Sequence, residues 1–427
     1  MSSGNTPFKN PALKWVDNRL PLLREGHHFL MSYPTPKNLN YWWNFGFLAL
    51  FCLVLMIISG IVLAMQYTPH TDLAFASVER IMRDVNFGWL LRYMHMNGAS
   101  FFFIVTLIHI FRGMYYGSYK GPRELLWILG VVIYLLMMAT AFLGYTLPWG
   151  QMSFWGAKVI TSFFTAIPLV GEDVLTLLQG GFGIDNPTLN RFFVLHFLLP
   201  FVIFGVVILH ILALHSYGSN NPLGIDMTGP KDSIAFHPYF TTEKVFTIGV
   251  FLFIFSIFIF YAPNSMGEAV NYVEANPVQT PAHIVPEWYF LPFYAILRAI
   301  PSKLGGVLFM FGSIAILFIL PWLDTSKVRS AVFRPMFKWG FWGFIFTVYI
   351  LSLSGAQNPD DTFRFALPIL GWFWTGFSFE IPGFSVLFVA RVFTFAYFAY
   401  FILWLPIIGF IEKTKPLPPS IAKAIEA

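Results

Sequence analysis

The chain of 427 residues is short of cysteine and of charge. Its one cysteine, Cys52, excludes an intrachain disulfide, a thiolate cluster and a CxxCH haem attachment, so any prosthetic group is held another way. Only 11% of the residues are Asp, Glu, Lys or Arg, against about 25% in an average soluble domain. With 57% hydrophobic and 19% aromatic residues, neither a disordered chain nor a water-soluble globule fits. The net charge of +5 comes without a basic run interleaved with aromatics, which argues against a nucleic-acid partner. Residues 1–40 lack the short apolar core of a cleavable signal. Low-complexity sequence is confined to Pro416–Pro419, where a disordered tail is expected.

What the chain has is a series of uncharged apolar stretches long enough to span a ~30 Å hydrocarbon core at about 1.5 Å per residue. Eight spans are drawn: A, Tyr41 to Gln66; B, Tyr93 to Phe111; C, Leu125 to Pro148; D, Phe192 to Tyr217; E, Val245 to Ala262; F, Leu304 to Leu323; G, Trp339 to Gln357; and H, Val392 to Ile411. This drawing puts 17 of the 26 Lys and Arg on the side of the two termini, which the positive-inside rule makes the inner side. Phe365 to Ala390 is also apolar, but Pro368, Glu380 and Pro382 interrupt it; an interfacial or re-entrant insertion is expected there. The fold class is an all-α polytopic membrane protein.

Ionisable side chains within spans mark functional sites. Span B holds His95 and His109, and span D holds His196 and His210, each pair 14 residues apart. Fourteen steps of about 100° fall about 40° short of four turns, so each pair faces one way, about 21 Å apart along its helix. Side by side, the two helices set His95 opposite His196 and His109 opposite His210. Two opposed imidazoles without carboxylate or thiolate company suit an iron porphyrin ligated on both faces; a zinc or copper site would want a third ligand. Gly46 and Gly60 in span A, and Gly130 and Gly144 in span C, repeat the same 14-residue step. Glycine costs a helix about 1 kcal/mol relative to alanine, and the register is read as letting a flat macrocycle approach the backbone. Arg92 and Arg112, each three residues from a histidine at the ends of span B, suit haem propionates.

With these residues, Trp43-Asn44-Phe45-Gly46, Arg83-Asp84-Val85-Asn86, His95-x-Asn97-Gly98-Ala99-Ser100, Pro148-Trp149-Gly150-Gln151-Met152 and Pro286-Glu287-Trp288-Tyr289, the chain from about Leu39 to Glu412 resembles the cytochrome b of respiratory quinol:cytochrome c oxidoreductase. The resemblance implies eight transmembrane helices with two non-covalent b haems in a four-helix bundle, residues 41–217. An N-terminal segment, 1–40, and an inner loop, 218–244, flank it. Helices E to H follow over 245–411, with an outer loop at 263–303 and an insertion at 358–391, and 412–427 form an inner tail. His95 and His196 would hold the low-potential haem near the outer face, and His109 and His210 the high-potential haem near the inner face, with Trp43 and Asn44 beside the cofactor.

The resemblance further makes Glu287 the proton acceptor of an outer ubiquinol-oxidising pocket. Its walls would be Met138, Phe142, Tyr145, Gly156, Ile160, Pro286, Tyr289 and Tyr294. On the inner side, His215 would hydrogen-bond ubiquinone, with Ser219 and Ser32 as further contacts. Where the family usually has Lys-Asp at the start of span E, this chain has Glu243-Lys244, and the inner acid stays unassigned. The implied function is bifurcated quinol oxidation, with one electron crossing the membrane through both haems and the energy stored as a proton gradient. The implied partners are a Rieske iron-sulfur protein and a cytochrome c1-type subunit in a homodimeric complex. The unbroken chain, the long insertion and the basic N-terminus point to a bacterial inner membrane. A transporter would share the spans but has no use for four register-matched histidines. A dihaem anchor of another dehydrogenase would leave spans E to H and the Pro286 to Tyr289 motif without a role.

Overall fold

The computed structural model describes residues 8–27, 31–367 and 377–426. Among them, eight helices are long and apolar enough to cross a membrane: Tyr41–Ala64 (A), Gly88–Tyr115 (B), Glu124–Thr146 (C), Asn186–Tyr217 (D), Tyr239–Phe260 (E), Lys303–Leu323 (F), Pro335–Gly355 (G) and Val386–Ile411 (H). Several begin before their apolar stretch does. Span D starts at a capping box in which Asp185 and Thr188 satisfy each other's backbone, six residues ahead of the expected boundary. Span B carries polar Asn97 inside the protein, 1% exposed, because its Nδ2 donates to the carbonyls of Tyr93 and Pro263 at 3.1 and 3.0 Å.

Spans A and B pack side by side, as do C and D, and A also touches D, which closes a four-helix bundle. Span E lies against A and B through edge-on aromatic contacts, Phe101 with Phe255 at 5.0 Å and Phe51 with Phe251 at 5.8 Å. The second half packs G and H around a short helix, Leu291–Ala299, that reaches back from the loop between E and F. Arg298 on that helix donates to the carbonyls of Ser354, Gly355 and Gln357, capping the end of span G.

Two expectations change. The insertion before span H is a strand pair, Thr362–Leu367 antiparallel to Phe377–Ser385, set in an otherwise mostly helical chain. Phe363 and Ala366 bury one face of it on Ile350, Leu353, Val386 and Val389, and β-pairing satisfies a backbone that Pro382 and Gly383 keep from continuing as helix. Its tip, including Pro368, lies outside the described residues. A second small pair joins Pro34–Pro36 to Ser233–Ala235. The tail is not loose: the amide of Lys415 donates to Phe333 O at 2.9 Å, that of Ala422 to Asp232 Oδ1 at 2.8 Å, and Ile421 is fully buried. Asp232 and a buried apolar anchor outweigh what the Pro-rich composition suggests.

A buried ionic cluster ties the end of the molecule where the two chain termini lie. Arg334 holds Asp324 with two bonds, 2.7 and 3.0 Å, and donates through Nε to Glu412 at 3.0 Å. Lys120 Nζ and Tyr119 Oη reach the same Asp324 carboxylate at 2.9 and 2.6 Å. The cluster joins the loop between B and C, the end of F, the start of G and the end of H. Burial opposes ionisation of Asp324, but Lys120 and Arg334 outweigh it and hold its carboxyl below the usual range. The stability it contributes is therefore present at neutral pH and lost as acid protonates it. Asp324→Ala leaves buried Lys120 without a carboxylate and Arg334 with Glu412 alone, and is expected to cost about 3–5 kcal/mol; a thermal unfolding midpoint equal to wild type in detergent would contradict this.

Candidate functional site

Spans B and D meet through their histidines. The ring centres of His95 and His196 are 6.2 Å apart and those of His109 and His210 6.4 Å. A metal–imidazole bond is about 2 Å long and the ligating nitrogen lies about 1 Å from its ring centre, so two imidazoles on one metal ion stand about 6 Å apart. No group of three or more His, Cys, Asp or Glu that could cage an ion comes together among the described residues, so two-fold imidazole ligation is the fitting donor set.

Outer hydrogen bonds choose the tautomer. His196 Nδ1 is 2.8 Å from the carbonyl of Thr140, which can only accept, so Nδ1 carries the proton and the Nε2 lone pair is free for a metal. Ser59 Oγ donates to Leu55 O at 2.7 Å and accepts from His95 Nδ1 at 2.9 Å, with the same result. At the other pair, Arg112 Nη2 lies 3.0 Å from His109 Nδ1. A guanidinium only donates, so Nδ1 accepts here; a neutral His109 offering Nε2 to a metal would carry its proton on Nδ1 and require Arg112 to turn away. The Nε of Arg112 is buried and unpaired, and its guanidinium sits 5.0 Å from the Trp43 ring, as suits a residue waiting for a carboxylate.

The glycines have a more specific reason than the one read from their register. A Cβ on Gly46 would lie 2.8 Å from His109 Cε1, on Gly60 3.1 Å from His95 Cε1, on Gly130 3.3 Å from His210 Cε1 and on Gly144 2.4 Å from His196 Cε1. Span A thus makes room for the rings of span B, and span C for those of span D. The missing side chains leave room for the histidine imidazoles of the facing spans.

His95, His196, Arg92, Tyr145, Glu287 and Tyr289 all border one cavity. Glu287 opens the short turn Trp288–Phe290, faces this cavity and is half-buried. Burial pushes its carboxyl up to about 8, with Arg92 opposing and Glu268 adding to the shift. The hydroxyl of Tyr145 is buried without a partner. Tyr289 is a wall: its ring stacks on Phe103 at 3.9 Å and is 3% exposed.

Not every expected wall comes to this cavity. Met138, Phe142, Gly156, Ile160, Pro286 and Tyr294 do not border it. Phe142 packs on Phe192 at 5.6 Å, Tyr294 lies under Arg298 at 4.5 Å, and open space surrounds Gly156. Beyond Pro148, which borders the cavity, the chain after span C is stitched to the loop after span E. Asn271 Oδ1 accepts from Ser153 N and Oγ at 2.9 and 3.1 Å, Gln151 N donates to Val273 O, and Gly150 bridges Glu274. A side chain on Gly150 would strike Asn271 O at 2.2 Å, so that glycine is the signal for the seam.

At the opposite end of the bundle, buried Asn44 donates to Glu243 and Thr247 at 2.8 and 2.7 Å and accepts from Lys244. The inverted Glu243-Lys244 pair is therefore bridged by one amide. His215 stacks on Tyr33 at 4.1 Å, Ser219 borders a small cavity with Arg123 and donates to Asn220 O, and Ser32 is exposed.

Residues 30–218 match the family model of cytochrome b/b6/petB, and residues 274–375 that of cytochrome b(C-terminal)/b6/petD. Cytochrome b of Rhodospirillum rubrum is 58% identical over 98% of either chain. A cytochrome b/c1 of Bradyrhizobium diazoefficiens is 54% identical over 98% of this chain and 58% of its own length. Among solved structures, a chain of a hyperthermophilic respiratory Complex III is similar at a TM-score of 0.83 and 35% identity, covering 94% of this chain and 99% of that one.

The glycine clearances grade a test. Gly144→Ala, at 2.4 Å, is expected to dislodge His196 and remove one b-type haem band from the reduced-minus-oxidised spectrum, whereas Gly130→Ala, at 3.3 Å, keeps both. Equal spectra for the two variants would refute the role assigned to the glycines.

Proposed function

The chain belongs to the cytochrome b family, and from that premise we propose that it is the membrane subunit of a bacterial quinol:cytochrome c oxidoreductase that oxidises ubiquinol at an outer site and reduces ubiquinone at an inner one. The observation that carries the proposal is the cavity shared by the His95 and His196 pair with Glu287 and Tyr145: an electron-accepting position and a proton-accepting position border the same space. His95 with His196, and His109 with His210, hold one haem b each, with Arg92 and Arg112 meeting the propionates and Trp43 and Asn44 beside the second pair. Bound there, the haems would supply one-electron carriers between the two ends of the bundle, serving one electron of the quinol while the other is destined for a Rieske iron-sulfur partner.

The chain's own residues handle position and protons. Glu287, ionised, accepts the proton of a quinol hydroxyl, and Tyr145 offers a hydroxyl with no other bond to make. Tyr289, fixed against Phe103, shapes the wall, and Met138, Phe142, Gly156, Ile160, Pro286 and Tyr294 serve an approach for the quinol outside the cavity. On the inner side His215, with Ser219 and Ser32, receives the quinone. The fused cytochrome b/c1 relative and the Complex III neighbour support a cytochrome c1-type partner. Both termini lie in the cytoplasm, and two copies of the complex assemble as a dimer. Charge carried against the membrane potential stores about 2.3 kcal/mol per 100 mV.

The pH dependence follows from Glu287. Its carboxyl is neutral below about 8 and able to accept a proton above it, so quinol oxidation is expected to rise with pH through that region. In membranes holding the complex, Glu287→Gln should flatten this limb and lower the rate about 10²-fold or more; a variant that keeps the wild-type profile would remove Glu287 from the reaction.

A further inference from the structure

We propose that Arg123 is a substrate-binding residue of the inner pocket, its free Nη1–H meeting an oxygen of the quinone ring. The proposal rests on the reading of His215 and Ser219 as the inner site. Arg123 stands just before span C and turns back to the end of span D, where Nε donates to Gly218 O at 3.0 Å and Nη2 to Tyr217 O at 3.4 Å. Two helix-end carbonyls therefore fix the guanidinium plane. The residue is 5% exposed, yet Nη1 has no partner.

The nearby carboxylate does not satisfy it. Asp226 is engaged by Arg329 through two bonds, 2.7 and 3.3 Å, and stands 4.0 Å from Arg123 Nη2. Two guanidinium groups share one carboxylate, so a positive charge and an N–H remain over. They border a cavity of about 280 Å³ closed by Pro122, Tyr217, Ser219, Asp226 and Met227. Tyr33, stacked on His215, lies within the field of Arg123, so this cation stands near the Tyr33–His215 stack.

The chemistry asks for such a group. A quinone becomes a quinol by taking two electrons and two protons, and negative charge builds on its oxygens as electrons arrive. A fixed donor aimed at that oxygen stabilises the charge without reorganising. Arginine stays protonated throughout, so it supplies neither proton; those come from the inner aqueous side through groups that titrate, such as His215. Fork geometry distinguishes this role from a simple point charge.

The test uses membranes holding the assembled complex and follows reoxidation of the inner haem by a short-tailed quinone at varied concentration. Arg123→Gln is expected to raise the half-saturating quinone concentration tenfold or more with haem content retained, and Arg123→Lys to fall between. Wild-type quinone dependence in Arg123→Gln overturns the proposal, as does a variant that is merely less stable with that dependence unchanged. Should Arg123→Gln fail to assemble, Arg123→Lys decides alone, and a wild-type curve overturns the proposal. His215→Leu separates the two readings: slow reoxidation there with a normal Arg123→Gln curve sinks only Arg123, whereas normal curves for both sink the inner site itself.

Discussion

A pair of neutral imidazoles facing each other inside an apolar bundle is the constraint on which the rest of this structure depends. Each ring needs its Nδ1 proton satisfied, its Nε2 lone pair bare and its volume accommodated, all between helices that lipid cannot help to hold together. Ser59 and Thr140 meet the first demand at one pair. The four glycines meet the last, most stringently at Gly144 and Gly46, where a Cβ would press on rings carried by D and B. The helix partnership A with B and C with D follows from this requirement. A 14-residue step on one helix demands the same step on its neighbour, since parallel and antiparallel α-helices alike preserve an axial spacing of about 21 Å.

That is why the bundle was legible in the sequence. Histidine and glycine are rare enough within apolar stretches for their periodicity to stand out, and a period is a local property of one helix. The purpose of the glycines was not legible, because the atom each admits belongs to another span. Hydropathy stops where polar residues begin, whereas span D starts earlier, at the Asp185–Thr188 capping box, and Asn97 inside span B is satisfied in part by Pro263, far along the chain. Tertiary bonds likewise pin the tail, where Pro416–Pro419 composition suggested disorder, and fold the insertion before H as strands on the buried side of G and H.

The outer cavity shows how chemistry and scaffold are separated. Glu287 and Tyr145 come from segments with no sequence proximity, and they face one space because the loop after span C is stitched to the loop after span E. Gly150, Gln151 and Ser153 form one edge of that seam, and Asn271 to Asn276 the other. Trp149 takes a left-handed backbone, φ 55°, at the corner where the two loops join. Strain there is tolerated because hydrogen bonds on both sides over-determine the geometry. A loop left free could not hold a carboxyl in a shielded place, since it would swing to water and recover its solvation.

Holding Glu287 in that place has a physical consequence for the site. A carboxyl shifted to about 8 is close to neutrality in its affinity for protons, so it neither traps a proton nor refuses one. Arg92 tempers the shift; without its positive charge, burial and the Glu268 charge would act unopposed and keep the group protonated. Arg92 also borders the cavity beside His95, so one cation stands beside both the Glu287 carboxyl and the His95–His196 pair.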